Sequence, residues 1–342
     1  KVSIGMTVVP TELSDIKFNI MDTPGYFDFV GETYGALRAS EGAVLLIDAS
    51  SGIEVGAEKA WKILEKHNKP RIIFANKMDK DNVQFGKLLS ELKEKFGDKI
   101  VPFALPIGQS NDFKGFACVI TGKAYEYDGN VRKEISLTDE LASEIEEIRE
   151  GLMEKVAESD EELMEKYFEG EEFTPDEISK GLKIAISQGD LVPLIVGSAE
   201  KTMGCDFLLE VVERYIPSPA EVGSIKAIKD EKEIEIKVDS KEPFSAIIFK
   251  TIADPFVGKL SIFKVLTGKI TKDMEIYNPN KERSEKLGGL FVLRGKNQIE
   301  VQEVLAGNIA ATSKLQYTQT GDSITDKNFG IEYSRIEYPQ PT

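Results

Sequence analysis

Four short apolar runs constrain this chain more than any other feature. They are "IKFNIM" (16–21), "GAVLLIDA" (42–49), "PRIIFANK" (70–77) and "LVPLIVGSA" (191–199). Each is too short for an ordinary helix and too apolar to lie in solvent, so each reads as a buried parallel strand. Helical patterns alternate with the first three. Ala57, Ala60, Trp61 and Leu64 recur at one helical face, and Phe85, Leu88, Leu89, Leu92 and Phe96 do the same. Strand–helix alternation of this kind predicts a doubly wound α/β domain.

Between the third and fourth runs the alternation stops, and an inserted subdomain is predicted at about 101–190. It starts strand-like, to about Ile135, and then turns helical. Leu141, Ile145, Ile148, Leu152 and Val156 mark one helix, and Leu163, Met164, Tyr167 and Phe168 a second. Thr174-Pro175-Asp176-Glu177 starts a third, with Thr as N-cap, Pro at the first helical position and Glu three residues after the cap. The acidic "EGEE" stretch reads as a solvated face, with a docking surface for a basic partner as the sharper alternative. "LLEVVERYI" closes the α/β domain and "PSPAE" ends it, so the first domain is expected over 1–222. The Lys- and Glu-rich 223–243 reads as an exposed connection. Short strands punctuated by Asp-Pro, Gly-Lys and Asn-Pro turns then predict an all-β domain over 244–330, a small barrel. Residues 331–342 are expected to lead towards a third domain.

Composition excludes several classes. A formal net charge of −16 argues against a duplex-DNA binder, which neutralises phosphates with Lys and Arg. Two cysteines, Cys118 and Cys205, make no disulfide framework and fit a reducing compartment, so a cytoplasmic protein is expected. His67 is the only histidine, so no zinc cluster is expected, and it reads as a solvated surface residue. No apolar run is long enough to span a membrane. A monomer is expected.

Three motifs sit at strand ends, where open α/β sheets bind ligands. The first is Asp22-Thr23-Pro24-Gly25. Glycine there lets the backbone approach a phosphate, and the acid before it can reach a magnesium ion through water. The second is Asn76-Lys77-Met78-Asp79. A carboxylate at Asp79 can accept N1–H and N2–H of guanine, donors that adenine lacks; Lys77 would lie along the ring and Asn76 would brace the loop. The third is Gly197-Ser198-Ala199, small residues that let a backbone N–H reach the guanine O6.

The order D-x-x-G, N-K-x-D, G-S-A resembles a translational GTPase. "DTPGYFDFVGE", "NKMD", "LPIG", "YFEGEE", "GSAEKTMG" and "YIPSPAEV" resemble the G domain of bacterial elongation factor G, insertion included. "DPFVGKLSIFKVLTGKI" and "LAGNIAA…TGDSIT" resemble that family's second, β-barrel domain, and "IEYSRIEYPQP" the start of its third. The resemblance implies a P-loop GTPase-type sheet followed by a barrel. It implies GTP/GDP and Mg2+ as ligands, and a GTP-driven factor that moves tRNA and mRNA on the ribosome, touching ribosomal RNA and ribosomal proteins. Asp22 and Gly25 would sense magnesium and the γ-phosphate. Asn76, Lys77, Asp79, Ser198 and Ala199 would hold guanine. Ser3, in "KVSI", stands where the family has a magnesium-binding threonine. Lys250, Lys259, Lys264, Lys269 and Arg294 could give the barrel local positive charge towards the ribosome, or serve only as solubilising residues.

The sequence departs from the family pattern twice. The phosphate-binding loop G-x-x-x-x-G-K-[ST] is absent, since no Gly-Lys pair is followed by Ser or Thr. In the family it lies upstream of Lys1, so the chain reads as a fragment that alone binds nucleotide poorly and hydrolyses none. The second departure is Tyr26, where the family has a histidine that positions the attacking water. A phenol donates one hydrogen bond but cannot carry an imidazolium's charge. Tyr26 would position water more weakly, or rotate away while another group acts, or mark loss of hydrolysis. Tyrosine here resembles a divergent subgroup of elongation factor G-like proteins. The alternatives to a translocase are therefore a ribosomal protection or release-type factor, and a slow or non-hydrolysing GTP-gated ribosome binder.

Overall fold

The computed structural model describes residues 3–13, 15–254, 258–272, 274–336 and 338. Parts of the quoted "DPFVG" turn and of "IEYSRIEYPQP" lie outside the described residues. The chain divides into two compact units, Lys1–Glu41 with Ser218–Thr342, and Gly42–Pro217.

In the first unit, β1 (Thr7–Leu13) and β2 (Ile16–Asp22) pair antiparallel, from Thr7↔Asp22 to Leu13↔Ile16. This corrects the first of the four expected parallel strands. Ile16, Phe18 and Ile20 alternate with Lys17 and Asn19, a two-faced pattern rather than a doubly buried one. Phe18 is buried, while Ile16 and Ile20 remain exposed. A 3-10 turn at Phe27–Phe29 leads into α1 (Val30–Ala39). The buried face of α1 is small: Gly35, Ala36, Leu37 and Ala39. A Cβ on Gly35 would lie 2.7 Å from the Phe249 carbonyl oxygen, so α1 rests directly on the strand Ser245–Asp254. Two lysines fasten it there. Lys250 bonds Glu32 and the Met6 carbonyl, and Lys264 bonds Glu41 and the Ala39 carbonyl. Lys264 is only 3% exposed. Neither lysine is the free surface charge expected of it; Lys259 donates to the Thr318 carbonyl and Lys269 pairs with Glu303.

The β-rich part of this unit is an eight-stranded antiparallel sheet. Its order is Arg283–Lys286, Glu275–Asn278, Ser323–Thr325, Ser245–Asp254, Gly258–Thr267, Ile309–Ser313, Leu290–Arg294 and Asn297–Glu300. Its strands share a core that includes Phe244, Ile248, Phe263, Leu290 and Ile324. The expected exposed connection is a hairpin, Ser224–Lys229 with Lys232–Lys237. Its period-two pattern buries Ala227 and Ile236 against Ile247, Ile331 and Tyr333 beneath a charged outer face.

The second unit begins with β3 (Ala43–Asp48), α2 (Val55–Lys66), β4 (Arg71–Asn76), α3 (Phe85–Phe96) and β5 (Ile100–Pro102). It then carries β6 (Ala104–Ile107), β7 (Gly115–Cys118), β8 (Lys123–Asp128) and β9 (Val131–Ile135). Then come α4 (Asp139–Glu158), α5 (Glu161–Phe168), α6 (Pro175–Gln188), β10 (Val192–Val196) and α7 (Cys205–Tyr215). The parallel sheet runs β3-β4-β10-β5, so a short strand just before the insertion joins the expected three. Strands β4 and β10 are buried along almost their whole length, as continuous apolar runs require. At the β3 edge Val44 and Leu46 are exposed. The insertion is an antiparallel sheet, β6-β7-β8-β9, with α4 to α6. The Thr174 capping box is present, and Gly189 closes α6 in the left-handed region at φ 81°. "EGEE" is exposed; His67, expected on the surface, is half-buried at the end of α2. No helix among the described residues is long and apolar enough to cross a membrane.

Candidate functional site

In the second unit, register brings three strand ends together. Asp48 pairs with Asn76 and Ala75 with Val196, so β3, β4 and β10 end side by side. The segment after β4 turns sharply, with Lys77 left-handed at φ 63°. Asn76 holds that turn. Its Oδ1 accepts the Lys77 amide at 2.8 Å and the Ala199 amide at 2.9 Å, which ties both loops to one side chain. The Met78 amide adds a bond to the Gly197 carbonyl at 3.1 Å. The Met78 side chain is wholly buried in the core and anchors the loop from below. Gly197 has a packing reason to be glycine. A Cβ there would lie 2.5 Å from both the Met203 carbonyl oxygen and the Phe74 ring.

Asp79 lies at the mouth of this pair of loops with its side chain only 5% exposed. Burial pushes its carboxyl pKa up, but the Ser198 hydroxyl, its own amide and the Lys201 ammonium outweigh burial and hold it below the ordinary value. Lys201 Nζ stands 3.4 Å from Oδ2. The Ser198 hydroxyl is near enough to favour the carboxylate, yet Asp79 Oδ1 and Ser198 Oγ are both buried without a hydrogen bond of good geometry. An ionised carboxylate with an orphaned oxygen suits a ligand that brings its own N–H donors.

Sequence reasoning missed Asp48. It ends β3, accepts the Ser50 amide and hydroxyl at 3.0 and 2.6 Å, and pairs with Lys77 Nζ. Burial raises its pKa, but Lys77 and Ser50 lower it further. Its signal was the same as that of Asp22, an acid ending an apolar run. Lys201 also went unread.

In the first unit, Ser3 Oγ lies 3.5 Å from Asp22 Oδ2, both groups exposed. Two hard oxygen donors fit a magnesium ion that takes its remaining ligands from phosphate and water. No group of three or more His, Cys, Asp or Glu that could hold a metal occurs among the described residues. Pro24 is buried, Thr23 half-buried and Gly25 exposed. A Cβ at Gly25 would meet nothing within 4 Å, and its φ is not left-handed, so neither packing nor strain asks for glycine here. Tyr26 precedes the 3-10 turn with its ring in solvent, 59% exposed.

The elongation factor Tu GTP-binding domain family matches residues 1–218, and the family of elongation factor G domain 2 matches residues 243–327. Elongation factor G of Thermotoga neapolitana and that of Thermotoga maritima are each 38% identical over 330 residues, 95% of this chain and 48% of the relative. A crystal structure from Thermus thermophilus superposes with a TM-score of 0.85 at 28% identity, covering 99% of this chain and 49% of that one. The chain thus spans about half the length of the curated relatives it matches.

Proposed function

We propose, for a chain that belongs to the elongation factor Tu GTP-binding domain family and carries an elongation factor G second domain, a translational GTPase of the elongation factor G type. The observation that carries this reading is Asp79: a buried, ionised carboxylate with an unpartnered oxygen, set in a loop braced by Asn76. Guanine supplies two parallel N–H donors to such a group, and adenine supplies neither. A carboxylate left unpaired by the wrong base costs about 1–3 kcal/mol or more, which makes Asp79 a selector as well as a ligand. Lys77, fixed by Asp48, borders the base, and the Gly197-Ser198-Ala199 loop closes over its edge.

By resemblance to the family, Asp22, Thr23, Pro24 and Gly25 would meet the phosphates, and nothing lies within 4 Å of where a Cβ on Gly25 would stand. Ser3, and Asp22 through water, would hold a magnesium ion, which would supply charge neutralisation to the phosphates. Tyr26 takes the water-positioning place, and its phenol donates one hydrogen bond without a charge. Phosphoryl transfer depends mostly on positioning and electrostatics, so a phenol supports slower turnover than an imidazolium. The domains are proposed as 1–222 with an insertion at about 101–190, 223–243 as connection, 244–330 as the second domain and 331–342 leading onward. The factor acts in the cytoplasm as a monomer, with ribosomal RNA and ribosomal proteins as partners. Free cationic charge on the barrel narrows to residues such as Arg294, because Lys250 and Lys264 are committed within the unit.

The test is GTP turnover by the intact protein with and without ribosomes, comparing Tyr26 with Tyr26→His. Ribosome-stimulated turnover by the parent supports the translational GTPase. Tight GTP binding without turnover, rescued by histidine, supports instead a GTP-gated ribosome binder, which the exposed phenol favours. Absence of guanine-nucleotide binding by the intact protein overturns both.

A further inference from the structure

The loop after β10 is closed on itself. Ser198 and Met203 exchange backbone bonds at 3.0 Å, and the Thr202 amide donates to the Ala199 carbonyl at 3.2 Å. Within it Thr202 is left-handed at φ 58°. A β-branched residue in that region is a genuine outlier and persists only where its surroundings hold it. Besides the loop's own backbone bonds, a contact from the insertion holds its side chain. Thr202 Oγ1 lies 2.7 Å from Oδ1 of Asn130, at the exposed tip of the β8–β9 hairpin, and 2.7 Å from the Lys201 carbonyl. One hydroxyl proton cannot serve both. With the Asn130 amide turned, its NH2 donates to Oγ1 while the hydroxyl donates to Lys201, and both contacts are satisfied.

The same hairpin is fastened at two further points. The Tyr127 hydroxyl bonds Asp206 in the first turn of α7. Arg132 lies over the Tyr125 ring at 4.8 Å and reaches Glu210 and Asp206. The β8–β9 hairpin is therefore bound to both the loop and the helix that follows it. Lys201 sits next to Thr202 in that loop and carries its ammonium to Asp79.

We infer that the β8–β9 hairpin positions the guanine-recognition loop, with Asn130 and Tyr127 as positioning residues that slow nucleotide release. This rests on the reading of Asp79 as the base selector. The chain of contact runs from Asn130 to Thr202, through the backbone to Lys201 and Ala199, and from these to Asp79 and Asn76. Without the Asn130 contact the left-handed Thr202 relaxes towards an unstrained conformation. Lys201 then leaves Asp79, and the Ala199 amide leaves Asn76. Association is untouched, because the open loop still admits nucleotide; dissociation is faster.

The test uses the intact protein and the dissociation rate of a fluorescent GDP. Asn130→Ala and Tyr127→Phe each raise the off-rate about three- to tenfold, the range for one lost hydrogen bond, with the on-rate unchanged. Thr202→Val behaves like Asn130→Ala, Thr202→Ser behaves like the parent, and Asn130→Ala with Thr202→Val is no faster than either alone. Asn130 is exposed and Tyr127→Phe removes one oxygen, so thermal unfolding stays close to the parent's and a general loss of fold does not mimic the effect. Parent-like off-rates in both single variants, with tight GDP binding by the parent, overturn this inference alone. A parent that fails to bind GDP overturns it together with the proposed function.

Discussion

Two glycine-bearing turns, Gly25 and Gly197, look equivalent in sequence and differ in what surrounds them. Around Gly197 everything is occupied: Phe74 and the Met203 carbonyl block any larger residue, Met78 fills the core beneath, and Asn76 ties both loops together. Around Gly25 there is open space, with Tyr26 and Phe27 exposed beside it. The Gly197 loop is finished by the protein's own contacts. The Gly25 turn has no such packing around its glycine. Preorganised hydrogen-bonding groups add affinity because their ordering cost is met in folding. A turn that waits for its ligand can instead report which ligand has arrived.

The largest expected effect tests the finished side. Asp79→Ala lowers GDP affinity at least about a hundredfold, since two hydrogen bonds to a charged group are lost. Asp22→Ala should cost GDP far less; an equal loss in titration calorimetry would break the contrast. Next come the glycines themselves. Gly197→Ala destabilises by about 1–3 kcal/mol through overpacking, seen in denaturant unfolding. Gly25→Ala stays within about 0.5 kcal/mol of the parent, yet reduces the preference for GTP over GDP. A matching loss of stability at Gly25 would show that its turn is packed after all.

The smallest effect lies away from both turns. Lys166 and the Thr174 amide hold the Glu177 carboxyl down to about 2, against an ordinary 4.5. A depressed carboxyl adds stability that is fully present above about pH 4.5 and is lost as the pH falls through about 2. Glu177→Gln keeps the capping geometry but removes the charge. Its acid unfolding curve should be shallower between those values, with nucleotide affinity at neutral pH unchanged.

The α/β class, the helices and the capping box were legible because each rests on local periodicity or on a cap with a fixed spacing. The loops after Asp22, Asn76 and Gly197 were legible only through their joint order at strand ends and its resemblance to a family; each motif alone is weak, and the same acid-after-an-apolar-run signal at Asp48 passed unnoticed. What could not be read was pairing. Nothing local shows that "IKFNIM" faces β1, that Lys264 is buried beside Glu41, or that Asn130 reaches Thr202. Those contacts join residues far apart in sequence, and Lys and Asn look solvated until a partner is known. The Ser224–Lys237 hairpin was missed for the same reason, since dense charge masked a clean two-residue period.

Lys264 gives the first unit an internal clock. Its ammonium is enclosed between the Ala39 carbonyl and Glu41, and burial lowers its pKa. An acylating reagent reaches an amine only when it is exposed and neutral. Lys264 therefore reacts only in the moments when α1 lifts from the sheet, while exposed lysines such as Lys232 react at once. The slow appearance of that one acylated peptide in a mass spectrum counts openings of the helix that follows the Asp22–Gly25 turn.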